Sequence, residues 1–155
     1  MPTPTIARQE LAAQPALFIR RRIGRHELQP TLAECFGKIF GHCQKAGLPL
    51  AGRPLTRYVS TGPGLWTIEA GKPVAAPVPG DGEIESGFLA GGPVAAAVHM
   101  GPYDQLHETY AAIERWIEAN GFRTAGPPWE SYITDPAEYP DPAQWRTDVF
   151  WPLAE

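Results

Sequence analysis

The 155-residue chain predicts an α+β fold in which a strand, helix, strand, strand unit occurs twice in tandem, with antiparallel sheet and the helices on one side of it. Three observations predict it. Segments of alternating polarity flank a segment with apolar residues at three- and four-residue intervals, the respective signatures of strand and helix. The same succession returns after a break rich in proline and glycine. Residues at matching places in the two halves agree at a nearly constant shift, which is what an internal repeat looks like.

In chain order, Ile6 to Leu11 and Leu17 to Ile23 read as short strands separated by AAQP, giving a hairpin or a bent strand pair. Thr31 to Ala46 carries Leu32, Phe36, Ile39 and Cys43 on one helical face. Thr31 is the expected N-cap, Gly47 with Pro49 the stop, and Gly37 and Gly41 weaken the interior. Arg53 to Ser60 and Leu65 to Ala70 alternate as strands joined by the turn TGPG. From Gly71 the sequence GKPVAAPVPGDG is too broken for a regular element, so residues 71–83 read as a linker between repeats spanning about 6–70 and 84–153.

The repeat is visible residue by residue. Ile84, Leu89, Ala90 and Pro93 fall 78 positions after Ile6, Leu11, Ala12 and Pro15. A shift of 74 superposes Leu106 on Leu32, Tyr110 on Phe36, Ile113 on Ile39, Ile117 on Cys43 and Gly121 on Gly47. It also carries Ala125, Gly126, Pro128 and Tyr132 onto Ala51, Gly52, Pro54 and Tyr58. Two such units are expected to leave a cleft along their pseudo-twofold axis.

Composition narrows the function classes. The length suits a single domain over 1–155, and 43% apolar residues with a net charge of −4 suit a soluble protein without a nucleic-acid surface. The basic run Arg20 to Arg22 is expected to be solvated at a strand edge. Cys35 and Cys43 share one helix and read as small apolar side chains. No run reaches the length of a membrane span and the start lacks a signal-peptide pattern, so a cytoplasmic setting is expected.

The stretch GPPWESY, Gly126–Tyr132, carries the candidate chemistry. It sets one carboxylate, Glu130, in an apolar and aromatic strand, where an unpaired acid is costly. Alternation predicts that Leu55, Val59, Trp129 and Ile133 cover the helices. Thr56, Tyr58 and Ser60, with Glu130, Tyr132 and Thr134, then form the opposite, cleft-lining face. The first copy has Thr56 where the second has Glu130, so one acid on the cleft floor would meet a cationic or polar aromatic ligand. Trp66, Tyr103 and Phe150 or Trp151 are expected to complete the walls. His99, Tyr103 and His107 lack neighbouring carboxylate or thiolate ligands, so no metal is expected. No cofactor is expected either, and with no serine elbow, catalytic cysteine setting or phosphate-binding glycine loop, other enzyme classes are remote.

The strings HMGPYDQLHETY, GPPWESYITDP and WRTDVFWPL resemble the GyrI-like small-molecule-binding family, whose members share the effector-binding domain of multidrug-sensing bacterial transcription activators. The resemblance covers nearly the whole chain. It implies a pseudo-twofold pair of units around an aromatic pocket, with Glu130 at the position of a glutamate that contacts cationic drugs. It also implies an alternative, since some stand-alone members resemble hydrolases that open cyclopropane-containing genotoxins. In that case Glu130 would be the general base and Tyr132 or Tyr103 would steady the leaving oxygen. No helix-turn-helix or dimerising coiled coil fits before Ile6, so direct contact with DNA is not expected. A protein partner such as gyrase or a separate regulator follows from the family name and from no residue.

Overall fold

The computed structural model describes residues 4–155. Eight strands and two helices follow one another in an order that runs twice. The first run is β1 (Ile6–Leu11), β2 (Gln14–Ile23), α1 (Leu28–Ala46), β3 (Leu55–Ser60) and β4 (Trp66–Pro73). The second is β5 (Glu85–Leu89), β6 (Gly92–Met100), α2 (Leu106–Ala119), β7 (Trp129–Tyr132) and β8 (Arg146–Pro152). A short 3₁₀ turn precedes each helix, at Arg25–Glu27 and at Tyr103–Gln105. The fold is therefore α+β, with the predicted tandem succession.

The chain divides into two compact units, and their borders differ from those of the repeats. One unit holds β1 together with Gly92 to Glu155; the other runs from Ala12 to Gly91. The cause is strand pairing. β1 runs antiparallel to β6, with Ile6 opposite Ala97 and Leu11 opposite Gly92, instead of folding back on β2 as a hairpin. β2 takes β5 on one side and β4 on the other, both antiparallel. The two residues between β1 and β2, Ala12 and Ala13, thus carry the chain from one unit to the other.

In the unit from Ala12 to Gly91, α1 packs Leu32, Cys35, Ile39 and Cys43 onto Leu17, Ile19 and Ile23 of β2 and Ile68 and Ala70 of β4. Both cysteines are free and buried, as their apolar setting predicts. α1 begins at Leu28, one turn before the expected Thr31. The Glu27 carboxylate accepts a hydrogen bond from Gly24 N–H at 3.0 Å, which satisfies a backbone donor ahead of the helix. Gly47 ends it in the left-handed conformation with φ 68°, and Leu48 N–H closes on Cys43 O at 2.8 Å. β4 continues to Pro73, so residues 71–73 are strand and not linker. Arg20 and Arg21 are held in ion pairs, with Glu69 and Glu83 respectively, each at 3.1 Å.

Away from α1, Phe18 lies across two glycines of its neighbouring strands, Gly71 of β4 and Gly87 of β5. Arg57 covers the ring with its guanidinium 4.4 Å from the centroid and pairs with Glu69 at 2.8 Å. A Cβ at Gly71 would stand 2.7 Å from Phe18 Cδ1, inside van der Waals contact. Gly71→Ala is expected to destabilise by about 1–3 kcal/mol in urea unfolding, through overpacking. Gly41→Ala, on the exposed side of α1 with nothing within 4 Å of the new carbon, is expected to stabilise by about 0.5–1 kcal/mol.

Candidate functional site: a buried carboxylate among aromatic rings

The unit containing α2 holds Glu130. Its core sets Leu106, Ile113 and Ile117 of α2 against Ala95 and Ala97 of β6 and Val149 of β8. β7 pairs with β8 so that Glu130 stands opposite Val149 and Tyr132 opposite Thr147. Opposed residues project to the same face, and Val149 belongs to the core under α2. Glu130 and Tyr132 therefore face the helix. This reverses the alternation assigned from sequence, because Trp129 turns outward with Phe150 and stacks on it at 4.3 Å.

The same reversal holds in the other unit. Thr56 opposes Ala70 and Tyr58 opposes Ile68, both under α1, while Val59 sits at a bulge and is 39% exposed. A period of two fixes which residues share a face; it does not say which face the helix covers.

Glu130 is 2% exposed, and the Tyr110 hydroxyl of α2 donates to its Oε1 at 2.8 Å. Burial first, then the Glu130 charge and this hydrogen bond, hold the Tyr110 phenol well above its ordinary pKa. Tyr103 packs edge-on to Tyr132 at 5.8 Å and lies tilted against Trp145 at 4.9 Å. Its phenol is also raised, by burial and then by the charges of Glu130 and Asp135. Trp151 packs edge-on to Tyr110 at 6.1 Å. Of the two residues named on the last strand, Trp151 joins the helix-side aromatics and Phe150 does not, being one step out of phase.

Thr56, Tyr58 and Trp66 lie in the other unit, beside α1. Thr56 is fully buried, Tyr58 meets Trp66 edge-on at 6.1 Å, and the Arg25 guanidinium sits 5.8 Å from the Trp66 ring. Within its own unit, Glu130 is brought together with Tyr132, Tyr103 and Trp151. Tyr110, which bonds Glu130, and Trp145, which packs on Tyr103, were not singled out from sequence. Tyr110 occupies a core position in the helical pattern and so reads as packing; its one signal is that the repeat has Phe36 there.

The histidines have other duties. His99 is 1% exposed, with Nδ1 at 2.7 Å from Thr109 Oγ1 and Nε2 at 3.0 Å from Pro102 O. Since a carbonyl only accepts, Nε2 carries the proton and Thr109 donates to Nδ1. His107 Nδ1 lies 2.9 Å from Asp104 O. Among the described residues no group of three His, Cys, Asp or Glu side chains is placed to hold a metal, and no helix is long and apolar enough to cross a membrane.

A buried acid with a phenol donor and several ring faces is suited to meeting a cation. The comparisons with known proteins place the chain among small-molecule-binding domains. The chain belongs to the GyrI-like family, matched over residues 6–154 as a GyrI-like small molecule binding domain. It is 30% identical over 97 residues to the probable transcriptional regulator YgiV of Escherichia coli (strain K12), a match spanning 61% of each protein. Its fold is similar to the crystal structure of the EcmrR C-terminal domain, with TM-score 0.81, 23% identity and 98% of both chains covered. Against EcmrR in a complex with DNA the TM-score is 0.86, covering 99% of this chain and 58% of that one. SAV2435, solved bound to tetraphenylphosphonium, has TM-score 0.61 at 14% identity, with 97% of this chain and 94% of that one covered.

The raised Tyr110 phenol gives a pH-dependent outcome. The unfolded chain releases that proton near pH 10, whereas the folded protein retains it to higher pH. Stability is therefore expected to fall as pH rises above about 10, and less steeply in Tyr110→Phe. Phenolate absorbance should show one fewer late-titrating tyrosine in that variant.

Proposed function

We propose that this domain binds amphipathic or aromatic organic cations and serves in sensing or sequestering xenobiotics. Glu130 is the counter-charge, and Tyr132, Tyr103 and Trp151 supply ring faces. The observation that carries the reading is the burial of Glu130 at 2% exposure with the Tyr110 phenol on Oε1. A carboxylate kept out of water attracts a cation far more strongly than one at the surface, and ring faces add to that attraction. Tetraphenylphosphonium on SAV2435 supports the ligand class, and the DNA complex of EcmrR, together with the likeness to the probable transcriptional regulator YgiV, supports the sensing role. A sensing role would act through a DNA-binding segment or a separate regulator, and gyrase contact has no residue behind it.

Tetraphenylphosphonium is expected to bind saturably, with Glu130→Gln weakening it about 10- to 100-fold in calorimetry, while far-UV dichroism stays unchanged. Equal affinity in that variant would remove the counter-charge role.

The competing reading is hydrolysis of an electrophilic cyclopropane genotoxin, with Glu130 as general base on a water and Tyr132 or Tyr103 at the leaving oxygen. Its support is the Tyr103 phenol, kept protonated beside the acid and so able to donate. Multiple turnovers of such a substrate, abolished in Glu130→Gln, would select this reading; stoichiometric protection without consumption would select capture.

A further inference from the structure

Four buried polar side chains gather on the helix side of β6, β7 and β8 and on α2: His99, Thr109, Glu130 and Thr147. The first three have hydrogen-bond partners, His99 with Thr109 and Pro102, and Glu130 with Tyr110. Thr147 does not. It is fully buried, and its Oγ1 has no partner among the described residues. A buried hydroxyl left unpaired is unfavourable, so its persistence calls for a role.

Register fixes where that hydroxyl stands. Thr147 on β8 lies between Tyr132 of β7 and His99 of β6, directly opposite each. It shares the helix-facing side with Val149, the residue opposite Glu130. Thr147 and Glu130 are therefore diagonal neighbours on adjacent strands, a spacing of about 7–8 Å. In the other unit Tyr58 opposes Ile68 just as Tyr132 opposes Thr147. Ile68 is fully buried in the core there, so packing alone is met by a hydrocarbon at this place.

We propose that Thr147 is a ligand-contacting, specificity-determining residue. Its hydroxyl forms a hydrogen bond with a neutral oxygen or nitrogen of the same organic cation whose charge meets Glu130. The ligand class is thereby narrowed to cations that carry a hydrogen-bonding heteroatom within reach of the charged centre. A hydroxyl both donates and accepts, so an alcohol, ether, amide or carbonyl on the ligand satisfies it. This rests on the cation-binding reading above.

The test compares tetraphenylphosphonium with triphenylphosphonium cations bearing a 3- or 4-hydroxymethylphenyl group, titrated calorimetrically into the wild type, Thr147→Val and Thr147→Ser. At least one hydroxymethyl probe is expected to bind Thr147→Val about three- to tenfold more weakly than wild type, with tetraphenylphosphonium changed by less than about twofold. Thr147→Ser, which keeps the hydroxyl, is expected to restore the difference. Equal effects of Thr147→Val on all probes, or none on any, would overturn the proposal. If no probe is affected while Glu130→Gln still weakens tetraphenylphosphonium, an ordered water satisfies Thr147 and only this inference falls. If the wild type binds none of the three, both readings fall together.

Discussion

The unit that holds Glu130 is organised by a single electrostatic constraint: a carboxylate at 2% exposure must be answered from within the fold. An isolated buried charge is strongly unfavourable, and a hydrogen bond to a charged group is worth about 1.5–3 kcal/mol. Tyr110 supplies that bond from α2. It lies four residues after Leu106 and three before Ile113, both on the apolar stripe that seats the helix. The contacts that dock α2 are therefore the contacts that deliver the phenol, so core packing and site chemistry cannot be varied separately here. A cavity made at Ile113 would move the donor as well as weaken the core.

The two copies differ at positions that belong together. Where the first has Phe36, Thr56 and Ile68, the second has Tyr110, Glu130 and Thr147. Each change adds polarity, and all three lie in or beside the face covered by the helix. The acid arrives with a donor at 2.8 Å, so two of the changes account for one another. Around α1 the equivalent face is closed by Ile68 and Ala70 and finished by the Tyr58 and Trp66 rings. The two repeats share one succession of elements, and at these three positions the second is the more polar.

Much of this was legible in the sequence, and the losses have physical causes. Both helices, their apolar stripes and the glycine stops follow from local spacing and from Gly47 and Gly121. Glu130 stood out because an acid in an apolar strand is conspicuous. Pairing was not legible for β1, since local sequence favours a hairpin and the actual partner, β6, lies some ninety residues away. Face assignment failed in β3 and β7 because each strand offers an apolar residue on both sides: Leu55 is buried away from α1, and Trp129 is covered by Phe150. Apolar character thus marked the burial of Leu55 without naming the layer, and Val59, at the bulge, is left exposed. Tyr110 was passed over because tyrosine at a core position is ordinary.

The HMGPY turn links these themes. Gly101 has φ 125°, a conformation costly for any residue with a Cβ, and its N–H reaches Trp145 O at 2.9 Å. His99, buried beneath, donates to Pro102 O and accepts from Thr109 of α2. Together they fix the turn against both the helix and the segment entering β8, leaving Tyr103 little freedom in where its ring lies. That ring meets Tyr132 and Trp145, close enough to the acid for the Glu130 charge to help keep its phenol protonated. A second negative charge beside the first would repel it and favour taking up a proton. Burial first, and then the Glu130 charge, favour the protonated phenols of Tyr103 and Tyr110, so both stand as hydrogen-bond donors on the acid's side of the ring cluster.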